Sequence, residues 1–368
     1  MESKTEVEFS FQIPGVIMSV QPKRPINVEQ IEATLNISFT WGYERTREDL
    51  RELYTKAKRS QWDSDERLDW STDVDLEKQY IPDFMHPLFG SEIYAKLDAK
   101  KQLELNVEMP AWTQSQFLHG EQGALLAAAQ LVNSVPDIES KLYAGTQVMD
   151  EARHVEVFDR YLHEKLENSY AISPHLRKLL DMILKDSRWD MKLLGMQIMV
   201  EGLALAAFGV TRDHVLEPLL KDLTTYVLQD EARHVAYGVL SLRDFYADAS
   251  EADVMEREDF VYEAAVMMRD RFLFQEVWEK TGLPVKECMD ITLNNVGQRE
   301  FRKMLFSKVV PAIKRIGLLS DRQRARFHDL GILQYEDWAD PFEDLSKAED
   351  EFAEEKRSRQ SAAAPAAE

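Results

Sequence analysis

From Met196 to Phe208 every position is apolar or glycine except Gln197 and Glu201. A similar run, Gly123-Ala-Leu-Leu-Ala-Ala-Ala129, begins two residues after Glu121. Helices that are apolar on all faces are buried, so both segments belong in the core of an all-α protein. Helical patterning with Pro, Asn and Gly punctuation predicts four long helices at about 110–132, 138–167, 188–212 and 217–248. Ser173-Pro174-His175 opens an extra helix to about Lys185, which serves as the crossover between two helical hairpins. Upstream, Asn27 with Gln30 three residues later reads as a capped helix start running to about Arg59. Ser60–Pro87, aromatic and acidic, reads as an irregular segment wrapped over the bundle, and a further helix spans about Gly90 to Asn106. Two or three helices follow Asp253 and end near Arg326. Residues 1–26 differ: Val7, Phe9, Phe11 and Ile13 alternate at period two, the mark of an extended arm packing on the body or on a partner subunit. The expected organisation is an arm (1–26), one helical domain (27–342) with its core at about 110–248, and an acidic disordered tail (343–368).

The charged intruders in the apolar helices form a pattern. Glu121 is followed thirty positions later by Asp150-Glu151-Ala152-Arg153-His154, and Glu201 by Asp230-Glu231-Ala232-Arg233-His234, again at thirty. Glu151 and His154, like Glu231 and His234, are three apart and share a helix face. Glu121 and Glu151 lie fifteen residues either side of Pro136 in a helix-breaking turn, and Glu201 and Glu231 are placed likewise about Leu216, beside Pro218. Two antiparallel hairpins therefore bring four carboxylates and two imidazoles to one level. Buried carboxylates are costly unless paired or metal-bound. Four of them match the charge of two divalent ions, and such a set is that of a carboxylate-bridged dimetal centre. Oxygen-rich donors with one imidazole per metal suit iron or manganese. The single cysteine, Cys288, excludes a zinc ribbon, an iron–sulfur cluster or a disulfide within the chain.

With these residues in place, the chain resembles the ferritin-like di-iron carboxylate superfamily, which includes bacterial multicomponent monooxygenase α-subunits, ribonucleotide reductase small subunits, acyl-carrier-protein desaturases and arylamine N-oxygenases. The resemblance covers about 110–245, and the Asp-Glu-x-Arg-His strings are closest in style to the multicomponent monooxygenases. It implies a ferritin-like four-helix bundle with flanking helices. One metal takes Glu121, Glu151 and His154, the other Glu201, Glu231 and His234, with some Glu bridging. It also implies that Asp150 holds His234, that Asp230 holds His154, and that Arg153 and Arg233 pair with those aspartates. The cofactor implied is two Fe ions (Fe2+/Fe3+), with Mn at one or both sites as the variant.

Branch markers are missing. Leu205 and Ala204 stand where monooxygenases and desaturases carry Thr, and Phe158 stands at the radical Tyr position of the reductase subunits. Val227 occupies the position of the extra His of arylamine N-oxygenases, and Met196 that of the Tyr of the ligand-binding oxidases. By these markers the chain sits in none of the best-known branches.

Charge narrows the partners. A net charge of −21 argues against nucleic acid and anionic membranes. No signal-like amino terminus and no run of eighteen apolar residues is present, so the expectation is a cytoplasmic protein with no membrane span. No Gly-x-Gly-x-x-Gly follows a strand, so reducing equivalents are expected from a ferredoxin or reductase, or from the substrate. Positions one turn from a ligand, Phe117, Gln122, Leu125, Phe158, Leu205 and Phe208, are the expected walls of a substrate pocket. His119 is expected to face away from the metals, and His86, with the remaining histidines, to lie at the surface or in caps. The function expected is a di-iron O2-activating oxygenase or oxidase for a small organic substrate, working as a homodimer. The alternatives are a radical-generating subunit and a ferritin-like iron-oxidising or iron-binding protein.

Overall fold

The computed structural model describes residues 10–13, 16–19 and 28–339. The chain divides into two compact units, 1–32 and 33–368. In the first, β1 (Ser10–Ile13) and β2 (Val16–Ser19) form an antiparallel hairpin that pairs Ser10 with Ser19 and Ile13 with Val16. Phe11 and Ile13 of the alternating set fall in β1; Val7, Phe9 and the 343–368 tail lie outside the described residues.

The second unit is all-α among its described residues. Its first helix, α1 (Glu48–Arg59), buries Leu50, Leu53 and Ala57 on one face. The helix expected from Asn27 is therefore confined to its last third. Residues 36–43, Asn-Ile-Ser-Phe-Thr-Trp-Gly-Tyr, are β-branched, aromatic or glycine-rich and poor helix formers. They run instead as an irregular strip along a helix end. Ser38 N–H donates to Asn133 O (2.8 Å), Ser38 Oγ to Ser134 O (3.1 Å) and Thr40 Oγ1 to Pro136 O (2.6 Å). These bonds satisfy carbonyls that a helix terminus leaves open.

Residues 60–91 hold only α2 (Ser64–Arg67) and a 3-10 turn at Asp83–Met85, in keeping with the expected irregular wrap. After the short α3 (Glu92–Lys96) comes α4 (Ala99–Ser134), 36 residues long. The two helices expected either side of Pro110 are merged in it. Proline removes one backbone bond and disfavours a helix interior, but here its ring is buried among Met109, Ala111 and Trp112, and the helix passes through. Then come α5 (Ile138–Arg160), capped by Asp137 and prolonged by a π-turn at Tyr161–Leu166, and α6 (Pro174–Lys185), capped by Ser173. A further helical stack consists of α7 (Trp189–Leu193), a π-helical stretch Leu194–Val200 and α8 (Glu201–His214). α9 (Pro218–Ala247) begins at Glu217, whose carboxylate accepts from Leu219 and Leu220 N–H at 2.8 and 2.7 Å. The bundle core is two hairpins, α4 on α5 and α8 on α9.

Among the described residues six helices follow, not two or three: α10 (Glu251–Asp270), α11 (Gln275–Lys280), α12 (Val285–Asn294), α13 (Val296–Met304), α14 (Val309–Arg315) and α15 (Asp321–Asp329). Gly282, Pro284, Asn295, Gly317 and Ser320 cut the pattern into short pieces.

Trp189–His214 is long and apolar enough to cross a bilayer although it holds no unbroken run of eighteen apolar residues, and 83% of its most apolar window is buried inside the protein. α6 presses on this stack. A Cβ added to Gly195 would lie 2.5 Å from Ile183 Cγ1 and 3.1 Å from Phe260 Cζ. Gly195→Ala is therefore expected to cost about 1–3 kcal/mol by overpacking, read as a lower urea midpoint.

Candidate metal centre

Each hairpin supplies one Glu from its first helix and a Glu-x-x-His pair from its second: Glu121 on α4, Glu151 and His154 on α5, Glu201 on α8, Glu231 and His234 on α9. The π-helical stretch ends immediately before Glu201. Such wider turns re-aim the side chains that follow and recur at functional sites.

The six side chains converge, each at most 5% exposed. Candidate donor atoms of Glu121, Glu151, His154 and Glu231 lie within 4.8 Å of one another, as do those of Glu151, Glu201 and His234. Glu151 belongs to both groups, with Oε1 3.1 Å from His234 Nδ1 and Oε2 3.6 Å from His154 Nδ1. Glu231 Oε1 is likewise 3.3 Å from His154 Nδ1 and 3.6 Å from His234 Nδ1. The second-helix carboxylates thus sit between the imidazoles. Glu121 approaches His154 (3.2 Å) and Glu201 approaches His234 (3.9 Å) from the outside.

Both imidazoles turn Nδ1 inward and Nε2 outward. His154 Nε2 meets Asp230 at 3.1 Å and His234 Nε2 meets Asp150 at 3.4 Å, each aspartate coming from the opposite copy. Arg153 bridges the aspartates, at 2.5 Å to Asp150 and 3.0 Å to Asp230, and Arg233 donates to Asp230. Such partners fix the ring orientation and leave the inner nitrogen free to bind metal.

The donor set fits two metals on an observation independent of spacing. Glu151 Oε2, Glu201 Oε2, both oxygens of Glu231 and His234 Nδ1 are buried without a hydrogen bond. Buried polar atoms are rarely left so, and bound cations would satisfy them. Charge agrees: four carboxylates balance two divalent ions, and the two Asp–Arg braces balance each other.

Titration of the metal-free centre follows from the packing. Burial, then the Glu231 charge, raises Glu121 well above the usual carboxylate range; burial, then Glu151 and Glu231, does the same to Glu201. Against burial, which favours the neutral ring, contacts with Asp230 and Glu121 raise His154, and the charges of Glu151 and Glu231 raise His234. All four shifts favour the protonated form, whose protons metal must displace. Metal loading near neutral pH is therefore expected to release more than two protons per chain, and affinity to rise with pH. A pH indicator in weak buffer reads both; loading without proton release contradicts the assignment.

Several residues at the site carried no sequence signal of their own. Gln147, one turn before Glu151, donates Nε2 to Glu151 Oε1 and Glu201 Oε1, both at 3.0 Å. From the irregular wrap, Gln61 donates to Asp150 (2.6 Å) and Trp62 Nε1 to Asp230 (2.8 Å). Arg271 lies beyond α10, 7% exposed, and no ion pair reaches it among the described residues. Burial alone lowers its pKa to about 10. Only the i−4 spacing of Gln147 was readable in advance.

A cavity of ≈ 20 Å³ touches Glu121, Glu201 and Glu231 and is walled by Phe117, Gly120, Ala124 and Arg271. It has room for about one water molecule. Of the six expected pocket walls only Phe117 lines it. Gln122 is exposed, because one step along a helix turns the side chain about 100° from Glu121. Leu125 is half-buried, and Leu205 is buried away from the cavity. Phe158 and Phe208 are fully buried and stack with rings 5.8 Å apart. His119 faces Tyr170 O at 2.9 Å, away from the centre. His86, expected at the surface or in a cap, is buried on Tyr94 and accepts from Leu88 N–H at Nδ1 (3.1 Å), and burial lowers its pKa to about 4.

The profile of the p-aminobenzoate N-oxygenase AurF family matches residues 43–317. Among solved structures, an R2-like ligand-binding oxidase with its metal cofactor aerobically reconstituted, after photoconversion, is 17% identical over 73% of this chain and 93% of its own, with a TM-score of 0.49. One with an aerobically reconstituted Mn/Fe cofactor shows the same identity and coverage and a TM-score of 0.47. No curated protein matches the chain. The family match corrects the inference from branch markers. Val227, at the extra-His position, is fully buried and offers no donor, yet the match runs through it and through the whole ligand frame.

Proposed function

Because the chain belongs to the p-aminobenzoate N-oxygenase AurF family, we propose that its O2-dependent reaction is the oxidation of an organic amine at nitrogen. The protein is a di-metal oxidoreductase acting on a small organic substrate. The observation that carries this reading is the pair of buried donor groups sharing Glu151, with carboxylate oxygens left without partners.

Glu121, Glu151 and His154 with Glu231 would hold one ion, and Glu201, Glu151 and His234 the other. Iron is proposed at both positions; oxygen-rich donors also accept manganese. When bound, the two ions supply the electrons for O2 reduction. The chain does the rest. Asp230 and Asp150 hold the imidazoles in the metal-binding orientation, Gln147 fixes two of the carboxylates, and Phe117 with its neighbours keeps bulk water from the cavity. The radical-subunit reading gains nothing here, since Phe158 packs against both Phe117 and Phe208 with no phenol in its place.

An external ferredoxin or reductase is proposed as the electron donor, and the cytoplasm as the location. A homodimer is proposed on the exposed apolar row Ile37, Phe39, Trp41 and Tyr43, 66–82% exposed, an edge that suits burial against a second copy.

The test is anaerobic Fe(II) loading, metal analysis, and O2 addition with p-aminobenzoate and with uncharged anilines. About two irons per chain and oxygen from 18O2 on the substrate nitrogen are expected. Metal content unchanged in Glu121→Ala and Glu201→Ala would overturn the centre. Two bound irons with 18O found only on carbon would overturn N-oxygenation.

A further inference from the structure

Toward one end of the bundle lies a much larger cavity of ≈ 570 Å³, within the roughly 300–1,000 Å³ usual for small-molecule sites. Its walls are mainly apolar, with Met109 and Pro110 from α4, Val210 from α8, Phe274 from the turn before α11, and Phe301 and Met304 from α13. Acidic or basic side chains are nearly absent from the described lining. His214 is half-buried, and Glu300 sits exposed at the mouth, paired with Lys303 at 2.9 Å.

Two carboxamides in these walls are unsatisfied. Gln114 is 2% exposed and its Oε1 has no hydrogen-bond partner. Gln298, 7% exposed, is anchored by Nε2 to Met85 O at 2.9 Å, which leaves Oε1 without a partner. Buried amides are normally bonded, so both point to a ligand group that can donate, and a hydroxyl or amine meets that need.

The cavity is in line with the metal centre. Along α4 the order is Gln114, Phe117, Glu121; along α8 it is Val210, Phe208, Glu201. The steps run from about half a helical turn (Val210 to Phe208) to about two turns (Phe208 to Glu201). Phe117 lies 4.5 Å from Phe208 and 5.9 Å from Phe158, ring to ring, so a rank of three buried aromatics occupies the level between cavity and centre. Phe117 also walls the small cavity beside the carboxylates.

We infer that the large cavity is a binding site for an uncharged, largely apolar organic molecule bearing a hydroxyl or amine, and that Phe117, Phe158 and Phe208 form the barrier between it and the metals. The binding claim stands on the cavity alone. Its use as the substrate's antechamber rests on the oxidoreductase reading above.

The experiment is a fluorescence titration of the full-length protein, metal-free and metal-loaded, with N-phenyl-1-naphthylamine, a neutral amine. Saturable binding at one site is expected, displaced by 1-decanol at least tenfold more effectively than by decanoate. Val210→Trp, which fills the cavity, should weaken it tenfold or more, and Gln114→Leu several-fold. No saturable binding, binding indifferent to Val210→Trp, or decanoate matching decanol would overturn the site. With Mn(II) loaded, relaxation of bound decanol protons should rise several-fold in Phe208→Ala; an unchanged rate would overturn the barrier. Cavity binding retained without substrate oxidation sinks the function proposed above and leaves this site standing, whereas oxidation without cavity binding does the reverse.

Discussion

Glu201→Gln and Glu151→Gln should move the stability of the metal-free protein in opposite directions, while both lose metal. Glu201 is buried; its nearer imidazole contact is 3.9 Å away, and Glu151 and Glu231 add repulsion to the cost of burial, so its pKa is raised. An acid whose folded pKa exceeds its unfolded value holds a proton that the unfolded chain releases. It therefore weakens the fold increasingly as pH rises above the unfolded value, by up to about 1.4 kcal/mol per pH unit. A carboxamide of the same shape has no such penalty and still accepts from Gln147. The metal-free Glu201→Gln protein is expected to be more stable than the parent at pH 7, with the gain vanishing near pH 4. Glu151 is the opposite case. It faces both imidazoles, at 3.1 and 3.6 Å, and against the effect of burial His234 and then His154 hold its carboxyl well below the usual range. Its stabilising contribution is present above the unfolded pKa and is lost as pH falls. Glu151→Gln removes it and leaves two raised-pKa imidazoles facing fewer charges. Calorimetric melts of chelated protein across pH 4–8, alongside metal analysis, decide the matter. Two metal-free variants shifting in the same direction would contradict the geometry. For metal, Glu201→Gln should deplete one position and Glu151→Gln both, because only Glu151 belongs to the two donor groups.

The core of this centre was legible because helical periodicity converts sequence spacing directly into height and azimuth. Glu121 and Glu151 lie equally far from Pro136, and Glu201 and Glu231 from the turn before Pro218, so two short turns suffice to align four carboxylates. What sequence could not supply came from long-range placement. Gln61 and Trp62 reach Asp150 and Asp230 across 89 and 168 positions, from a segment without periodicity. Arg271 reaches the cavity from the end of α10. The pocket walls failed for a related reason: distance in turns from a ligand does not specify azimuth, and Gln122 points outward while Gly120 and Ala124 leave the space that forms the cavity. The helix boundaries failed where tertiary packing outweighs local preference. Pro110 is carried inside α4 by burial, and residues 36–43 give up a helix for bonds to the end of α4.

Asp230→Ala should be the most destabilising substitution around the centre, costing about 3–5 kcal/mol, because it leaves buried cations uncompensated. Asp230 accepts from Arg153, Arg233, Trp62 and His154 at 1% exposure. Against the opposing effect of burial, the Arg233 charge and the His154 and Arg153 contacts hold its carboxyl far below the usual range. Asp150→Ala should cost less, since Arg153 would keep Asp230 and the ring of His234 would lose a longer, 3.4 Å contact. The ordering has a further consequence that simple loss of packing does not share. Removing the orphaned cation as well, in Asp230→Ala with Arg233→Met, should recover part of the lost stability, because an apolar pair of similar volume tolerates burial where a lone guanidinium does not. Asp230→Asn, which keeps the shape, should spare most of the fold yet weaken metal binding roughly 10–100-fold by loosening His154. Denaturant melts of the chelated proteins and competitive metal titrations separate the two effects. A double variant no more stable than Asp230→Ala alone would mean that Arg233 finds another partner, and that the aspartate serves the imidazole rather than the arginines.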